Sequence, residues 1–396
     1  MKINSCIFLI VSVFLSLFLR VYFLNKSGYL FDINCFLEWG GKINESGFWS
    51  LFGGDYYQDN GIDYPPLVPL ICSWWFSLVS QPTVLFYKIL PTIFELGLIG
   101  INSYYILKSN FKFKNLLLFV VIVQPALGLV TSAWGQVDSI MALLILSGFI
   151  FWEKNFFLAS LLLFLSFLAK PQAVIAIFIY FLSLLFRKNK RDFFVQGGFW
   201  LLLFALMILI FHFFGGSNFF DPYTTSVGRY TNLSLNAFNL WWLIFKDGAW
   251  SMNDTLGPYK AIGLSLFAVF HVPVLIFAIR RKINLQSLLM LTSYSYLIFF
   301  VFPTQIHERY LFPSLALLTI PSAYSNLLFA FYIALSATFF YNCFAVLQSV
   351  YPQFDFVSEN LLRGDFPVAI SFINVLTAIF FAYYLINESF GKNQKK

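Results

Sequence analysis

Residues 193–214 read FFVQGGFWLLLFALMILIFHFF, a stretch without a single Asp, Glu, Lys or Arg. A run of about 20 apolar residues is long enough to cross a lipid bilayer as a helix. The whole chain shares this character, since 59% of its 396 residues are hydrophobic and 11% are charged, against roughly a quarter charged in soluble domains. A soluble enzyme, a fibre and a disordered chain are therefore excluded. The sequence predicts an all-α, polytopic membrane protein.

Similar apolar runs recur along the chain and predict about twelve membrane-spanning helices in one transmembrane domain over residues 1–396. The runs lie at 4–24, 84–107, 115–132, 138–152, 156–169, 171–186, 193–214, 259–279, 286–303, 310–325, 327–347 and 367–387. No cleavage site of small residues follows the first run, so we interpret it as an uncleaved anchor.

Basic residues cluster in gaps between these runs, at 108–114, 187–191, 280–282 and 391–396. Because Lys and Arg are retained on the cytoplasmic side of membrane proteins, we predict that these gaps and both termini are cytoplasmic. Alternation then places outside the segments 25–83, 133–137, 170, 215–258, 304–309 and 348–366, which hold most of the acidic residues. The net charge of +7 is thus a topology signal, and we expect no nucleic-acid partner.

Segment 65–80 is apolar but contains three prolines, and counting it as a full crossing would place the 187–191 cluster outside. We therefore predict a half-inserted or interfacial helix on the outer side, within the first outer loop. The runs 138–152, 156–169 and 171–186 are short for a span. Short helices are tolerated where they face protein or water, which predicts a cavity that opens outward near residues 133–172.

The first outer loop, 25–83, combines acidic and aromatic residues. Carboxylates accept hydroxyl protons and rings stack on sugars, although a solvated loop with interfacial aromatic anchors explains the same composition. Asp32 differs because helical spacing brings it close to Phe36 and Trp39, at the membrane surface. A partly desolvated carboxylate there suits a general base. Glu38 lies close enough to compete for that role, and the sequence leaves the choice open.

Two further outer segments carry polar residues between short helices. In Trp134-Gly-Gln136-Val-Asp138, the acid either caps the following helix or also fixes a loop in which Trp134 and Gln136 face the cavity. Lys170-Pro-Gln172 is either a plain hairpin turn or a turn that brings the Lys170 cation and the Gln172 amide to the cavity floor, where they could bind a phosphate. An unpaired lysine at mid-membrane would cost roughly 2.5–3.5 kcal/mol.

The segment His307-Glu308-Arg309 interrupts an apolar stretch on the outer side. Arg309 can bind a phosphate with two parallel hydrogen bonds while Glu308 orients it, or the two can form a simple loop ion pair. The second outer loop, 215–258, contains Asn236 and Asn239 in an uncharged stretch, which predicts an interfacial helix. The side-chain amides of these residues either bind a ligand or have only a structural role. No nucleotide-binding motif is present, so an activated substrate must come through the membrane.

Together these segments resemble the GT-C type of polyprenyl-phosphate-sugar-dependent membrane glycosyltransferases, and are most similar to the mannosyltransferases of glycosylphosphatidylinositol assembly and their bacterial relatives. The resemblance rests on Asp32, Asp63-Tyr64-Pro-Pro, Trp134-Gly-Gln136-Val-Asp138, Lys170-Pro-Gln172, Asn236-Ala-Phe-Asn239-Leu-Trp and His307-Glu308-Arg309-Tyr. It implies inverting transfer from a lipid-phosphate sugar with the acid of the first outer loop as base, and juxtamembrane helices in that loop. No cofactor is assured, and a divalent metal stays undecided.

The expected reaction moves a hexose, with mannose favoured, to a hydroxyl of a glycan, lipid or protein acceptor at the outer membrane face. Lys170, His307 and Arg309 are candidates for the phosphate, and Asp63, Gln136 and Asp138 for the sugar and the acceptor. One alternative is a polysaccharide polymerase or ligase that acts on lipid-linked glycans. Another is a transporter or flippase, although the chain lacks the two related halves that are usual in transporters.

Overall fold

The structure, a computed structural model, describes residues 3–187, 190–226, 228–350 and 361–391. These residues form an all-α protein, and the only sheet among them consists of two strands of two residues each. The end of the predicted cytoplasmic tail (392–396) and much of the predicted outer segment 348–366 lie outside the described residues.

The helices of the N-terminal half include those of the first outer loop and the short helices that follow it. They are α1 (Ile3–Leu24), α2 (Leu30–Ser46), α3 (Trp49–Phe52), α4 (Tyr56–Asn60), α5 (Leu67–Phe76), α6 (Val84–Lys108), α7 (Lys114–Val123), α8 (Pro125–Gly128), α9 (Asp138–Phe151), α10 (Phe156–Ala169) and α11 (Val174–Leu185).

The C-terminal half continues with α12 (Arg191–Ile210), α13 (Asp221–Thr224), α14 (Leu240–Phe245), α15 (Gly248–Ser251), α16 (Tyr259–Phe270), α17 (Val272–Arg280), α18 (Leu285–Val301), α19 (Phe312–Ser322), α20 (Asn326–Val350) and α21 (Asp365–Phe390). The strands β1 (Ser234–Leu235) and β2 (Ile306–His307) pair in parallel.

Helix is present in each of the twelve predicted apolar runs. Seven helical segments are long and apolar enough to cross a membrane: Ile7–Leu24, Val84–Lys108, Lys114–Trp134, Arg191–Gly215, Tyr259–Arg280, Asn326–Ser349 and Asp365–Phe390. The chain is therefore a helical, membrane-embedded protein. The other predicted runs form shorter helices. The shortest, α19, has 11 residues, and at 1.5 Å per residue it covers roughly half of the hydrocarbon core.

Burial separates peripheral helices from central ones. Only 11% of the Arg191–Gly215 segment is buried against protein, whereas 78% of Lys114–Trp134 is buried. On the first of these segments Phe194, Leu201 and Phe213 are each more than 70% exposed. An apolar surface of this extent requires an apolar surrounding, which lipid supplies.

The first outer loop folds into the four helices α2 to α5, and α2 packs closely on α5. A Cβ atom at Gly40 of α2 would lie 2.5 Å from the ring of Phe76 and 3.1 Å from the backbone of Cys72, so only glycine allows this approach. The predicted half-inserted segment corresponds to α5, whose ten residues cover about 15 Å. That length is short of the bilayer core.

The run predicted at 115–132 is broken, because Gln124 has a φ of 15° and Pro125 follows it. Proline has no backbone N–H and cannot continue the hydrogen bonding of a helix. The Gln124 amide donates hydrogen bonds to Tyr332 (2.6 Å) and Ser336 (3.2 Å) of α20. Beyond the break the backbone forms a π-helical turn over Leu129–Trp134, a rare conformation that often accompanies functional sites.

Side chains of the C-terminal helices hold the second outer loop in place. Asn342 of α20 donates to the carbonyl of Asn236 (2.7 Å) and accepts from the N–H of Phe238 (2.9 Å). Asn374 of α21 donates to the carbonyl of Phe238 (2.9 Å). These bonds fix the residues next to β1, and β1 in turn pairs with β2 and thereby positions His307.

Candidate functional site

The loop at residues 134–138 ends the π-helical turn and packs on α2. Gly135 has a φ of 86°, a left-handed conformation that glycine adopts at little cost. A Cβ atom there would lie 3.0 Å from the side chain of Ile33. Tyr87 donates to the carbonyl of Gly135 (2.8 Å), and the N–H of Tyr29 donates to the carbonyl of Trp134 (3.4 Å). The buried Trp134 thus belongs to the support of this loop.

Asp32 contacts this loop directly. Its carboxylate, half-buried in the first turn of α2, accepts a hydrogen bond of 2.5 Å from the Gln136 side-chain amide. The two residues are far apart in sequence, and the packing of α2 on the 134–138 loop brings them together. Glu38, the competing acid, is exposed. The structure therefore separates the two acids by environment, although the identity of the base stays a prediction.

Asp138 and Lys170 form a buried ion pair, with 2.8 Å between Oδ1 and Nζ and both side chains less than 5% exposed. Asp138 is the first residue of α9, but its carboxylate pairs with Lys170, and no side-chain cap is formed at Val137. Burial lowers the pKa of Lys170, and the neighbouring carboxylates of Asp138 and Asp32 oppose that shift. Lys170, the cation predicted at the cavity floor, is thus held in place by Asp138 of the 134–138 loop.

His307, Glu308 and Arg309 lie at the end of β2 and in the short 3-10 turn Glu308–Leu311. The buried Glu308 accepts a hydrogen bond of 3.1 Å from Arg309, and its other oxygen lies 3.8 Å from Nδ1 of His307. Burial alone would lower the pKa of Arg309, but Glu308 and then Asp32 raise it well above its ordinary range. Asp32 is therefore within electrostatic reach of both Lys170 and Arg309.

The two predicted asparagines have different surroundings. Asn236 is buried, has a φ of 60° and forms a bridge with His307. The side-chain oxygen of Asn239 accepts from the N–H groups of Trp241 (3.1 Å) and Trp242 (3.3 Å), so this residue caps α14. Both asparagines organise the loop beside the site. The helix predicted for the stretch 234–242 begins only at Leu240, as α14, because Ser234–Leu235 form β1 and pair with β2.

A cavity of about 380 Å³ lies where these segments meet. The sequence-predicted residues that line it come from three separate segments: Asp63, Tyr64, Lys170, Gln172, His307 and Arg309. Asp32, Gln136 and Asp138 lie beside it, connected through Lys170 and through electrostatic contact with Arg309. Glu38, Trp134, Asn236, Asn239 and Glu308 do not line it. The cavity thus combines most of the predicted cations with an aromatic wall.

Three tyrosines, Tyr64, Tyr230 and Tyr310, present rings to this cavity. Tyr64 packs on Phe36 with 5.1 Å between ring centroids, and its own centroid lies 5.9 Å from the Lys170 ammonium. Tyr230 and Tyr310 each lie 5.3 Å from the His307 ring. Because Phe36 is almost fully buried, it supports Tyr64, and the tyrosines line the cavity together with the ring of Phe299.

Sequence reasoning missed Arg229 and Lys260, which also line the cavity. Arg229 forms an ion pair with Asp63 and so connects the first and second outer loops. Its position in a predicted outer loop was a usable signal, because basic residues are uncommon on that side.

Several buried polar atoms around the cavity have no hydrogen-bond partner among the residues that the structure describes. They are Oε1 of Gln136, Oδ2 of Asp138, Oε1 of Gln172 and Nε of Arg309. Leaving a buried polar atom unpaired costs about 1–3 kcal/mol, so native proteins rarely do so without a reason. Four such atoms around one cavity indicate a site built for a polar ligand.

Among the residues that the structure describes, no three His, Cys, Asp or Glu side chains are grouped in a way suited to a metal ion.

Glu95 is an acid within the membrane-spanning helix α6, and a cation of another helix pairs with it. Arg20 of α1 donates two hydrogen bonds to Glu95 of α6, at 2.5 and 3.2 Å, and both side chains are at most 2% exposed. Thr131 of the π-helical turn donates to the same carboxylate (3.2 Å). This buried pair joins α1 and α6 to the segment that leads into the 134–138 loop.

We expect acidification to destabilise the protein through His307. Burial, followed by the positive charge of Arg309, lowers the pKa of His307 below its ordinary 6.5. The unfolded chain therefore binds this proton more readily, so stability falls as the pH drops below about 6.5, by up to about 1.4 kcal/mol per pH unit. Thermal unfolding in detergent at pH 7.5 and 5.5 should show a smaller loss for His307→Gln than for the wild type. Equal losses would show that folding leaves the pKa of His307 unchanged, and a smaller loss for the wild type would show that folding raises it.

A scan against protein-family models and a search of curated proteins found no match to this chain.

Proposed function

We propose that the chain is an inverting membrane glycosyltransferase of the GT-C type, which moves a hexose from a polyprenyl-phosphate sugar to an acceptor hydroxyl. The observation that carries this proposal is the neighbourhood of Asp32. Its carboxylate is held by Gln136 and lies within electrostatic reach of Lys170 and Arg309, which line the cavity. A proton acceptor beside paired cations is what transfer from a phosphate leaving group requires.

In the proposed step, Asp32 takes the proton of the acceptor hydroxyl while that oxygen attacks the anomeric carbon. A new C–O bond forms as the bond between the anomeric carbon and the phosphate oxygen breaks, and the electron pair leaves with the lipid phosphate. Lys170 and Arg309 stabilise the charge on that phosphate. A single in-line displacement of this kind inverts the configuration of the sugar. Positioning and charge stabilisation supply most of the rate, since the phosphate is already a good leaving group.

The acids next to the cations have a positioning role in this proposal. Asp138 and Glu308 reduce the cost of burying Lys170 and Arg309 and orient them. Nε of Arg309, a residue that lines the cavity, has no hydrogen-bond partner among the described residues, so we assign this donor to the phosphate.

The sugar and the acceptor would contact the remaining polar and aromatic groups of the cavity. Asp63 and Gln172 can accept hydrogen bonds from hydroxyl groups, and the face of Tyr64 can stack on a pyranose. Mannose is the favoured hexose on the strength of the resemblance, and the acceptor is a glycan, a lipid or a protein.

We also propose about twelve spans with both termini in the cytoplasm and the cavity on the opposite face. The charge distribution supports this topology, because the lining residues Asp63, Lys170, Arg229 and His307 lie in gaps predicted to be outside, and the others in the predicted spans lie near the outer ends of those spans. The donor would then reach the site from the bilayer.

We expect transfer of radiolabel from polyprenyl-phosphate mannose to a new product when membranes that contain the protein are incubated with a lipid extract of the host. The reaction should need no nucleotide sugar, because the donor is already activated. Membranes without the protein are the control. Label transferred only from lipid-diphosphate oligosaccharides would favour the polymerase or ligase. Movement of the lipid across the membrane without a covalent product would favour a flippase.

A further inference from the structure

A second cavity, of about 760 Å³, lies at the opposite end of the helices that border the candidate site. Val174, near the beginning of α11, lines the first cavity, and Ser183, near its end, lines the second. Likewise Lys260 lines the first and Arg280 lines the second, at the two ends of Tyr259–Arg280. That segment has 22 residues and covers roughly 33 Å, close to the thickness of a bilayer core. The second cavity therefore lies at the other membrane surface.

The second cavity, which we call the basic cavity, has an excess of positive charge among its described lining residues. Its basic side chains are Arg187, Arg280, Arg281 and Lys282, and its acidic ones are Glu153 and Asp192.

Two of these cations are already engaged within the protein. Arg187 lies 3.5 Å from the carboxylate of Asp192. Arg281 donates to the carbonyls of Glu388 (2.7 Å) and Gly391 (2.6 Å) and thereby holds the end of α21. In the described part of the chain, Arg280 and Lys282 have no ion-pair partner. Arg280 also lies over the ring of Phe390, with 4.0 Å from its guanidinium carbon to the ring centroid. The positive charges of Arg280 and Lys282, two positions apart, are thus not balanced by a described carboxylate and can attract an anion.

One wall of the basic cavity is apolar and reaches the lipid-facing surface. Ile279 of α17 lines the cavity and is 63% exposed, and Phe186 lines it from the end of α11. A free anion gains nothing from contact with apolar side chains. A phospholipid does, because it places its phosphate at the membrane surface and its acyl chains beside apolar side chains. We propose that the basic cavity binds the headgroup of an anionic phospholipid through Arg280 and Lys282, with the acyl chains along Ile279.

The test compares Arg280→Gln/Lys282→Gln with the wild type, using phosphatidylglycerol and phosphatidylcholine as probes and native mass spectrometry of the purified protein as readout. A basic residue near an anionic membrane surface contributes about a fivefold factor in binding. We therefore expect the double variant to bind phosphatidylglycerol roughly 25-fold more weakly, with little change for phosphatidylcholine. The matched control is Lys108→Gln/Lys112→Gln, which removes two charges from another predicted cytoplasmic gap and should bind like the wild type.

Three outcomes would overturn the proposal. The first is that the double variant binds phosphatidylglycerol as well as the wild type does. The second is that the control variant loses this binding to the same extent, which would indicate attraction by net charge alone. Competition by millimolar inorganic phosphate would show that the cavity holds a free anion and not a lipid. Thermal unfolding of the double variant guards against a folding defect, because Arg280→Gln also removes the contact with the Phe390 ring of α21 while Arg281, which holds the same helix, is unchanged.

Discussion

Asp32→Asn is expected to reduce sugar transfer by about 10²–10⁴-fold, the usual loss when a general base is removed. Asparagine keeps the size of the side chain and an oxygen that can accept the hydrogen bond from Gln136, so the contact between α2 and the 134–138 loop should survive. It cannot take the proton of an acceptor hydroxyl. The measurement is the initial rate of label transfer from polyprenyl-phosphate mannose, with thermal unfolding in detergent to confirm the fold.

The matched control for this variant is Glu38→Gln, which removes the competing acid of the same helix. Glu38 is exposed, and we expect transfer within a few-fold of the wild type. An active Asp32→Asn variant beside an inactive Glu38→Gln variant would move the base to Glu38. If both variants were fully active, the proposed mechanism would have to be abandoned.

Arg20→Met is expected to cost about 3–5 kcal/mol of stability, the typical result of leaving one partner of a buried ion pair alone. The variant strands the Glu95 carboxylate and also removes the hydrogen bond from Arg20 to the carbonyl of Val123 (2.7 Å). It makes α1 more apolar, so insertion of that helix should not suffer. The measurement is thermal unfolding and the yield of monodisperse protein.

Two controls isolate the buried pair. Arg187→Gln breaks the half-exposed pair with Asp192, which should cost no more than about 1 kcal/mol. The double variant Arg20→Met/Glu95→Gln removes both charges and should be less destabilised than the sum of the single variants, since the two sites are coupled. If Arg20→Met unfolds at the wild-type temperature, the pair has no structural role.

Helix positions in this chain could be predicted well from composition, because apolar runs of this strength have few alternatives to helix. The break at Gln124 could not, although Pro125 was visible in the sequence. What stabilises the break is the bonding of Gln124 to Tyr332 and Ser336, and these residues lie on a distant helix. The brevity of α19 was missed for a similar reason, as the apolar run 310–325 includes residues of a 3-10 turn.

The polar segments of the candidate site were recognisable one by one, but their pairing was not. Nothing in the spacing of Asp138 and Lys170 predicts an ion pair, so the sequence left a helix cap and a hairpin turn as open alternatives. The contact between Asp32 and Gln136 likewise depends on how α2 packs on the 134–138 loop. The buried pair of Arg20 and Glu95 could not be predicted either, because the two residues lie in different apolar runs and only the packing of α1 beside α6 brings them together.

The bond between Gln124 and Tyr332 has a consequence for how the protein is made. The two residues are 208 positions apart, and a ribosome that adds about 5–20 residues per second needs roughly 10–40 s to cover that distance. During this interval the segment around Gln124 has already been synthesised, but Tyr332, whose hydroxyl accepts the hydrogen bond from Gln124, has not. Until α20 is made, the Gln124 amide lacks both of its partners on that helix, so chains truncated before α20 should lack the contacts that stabilise this break.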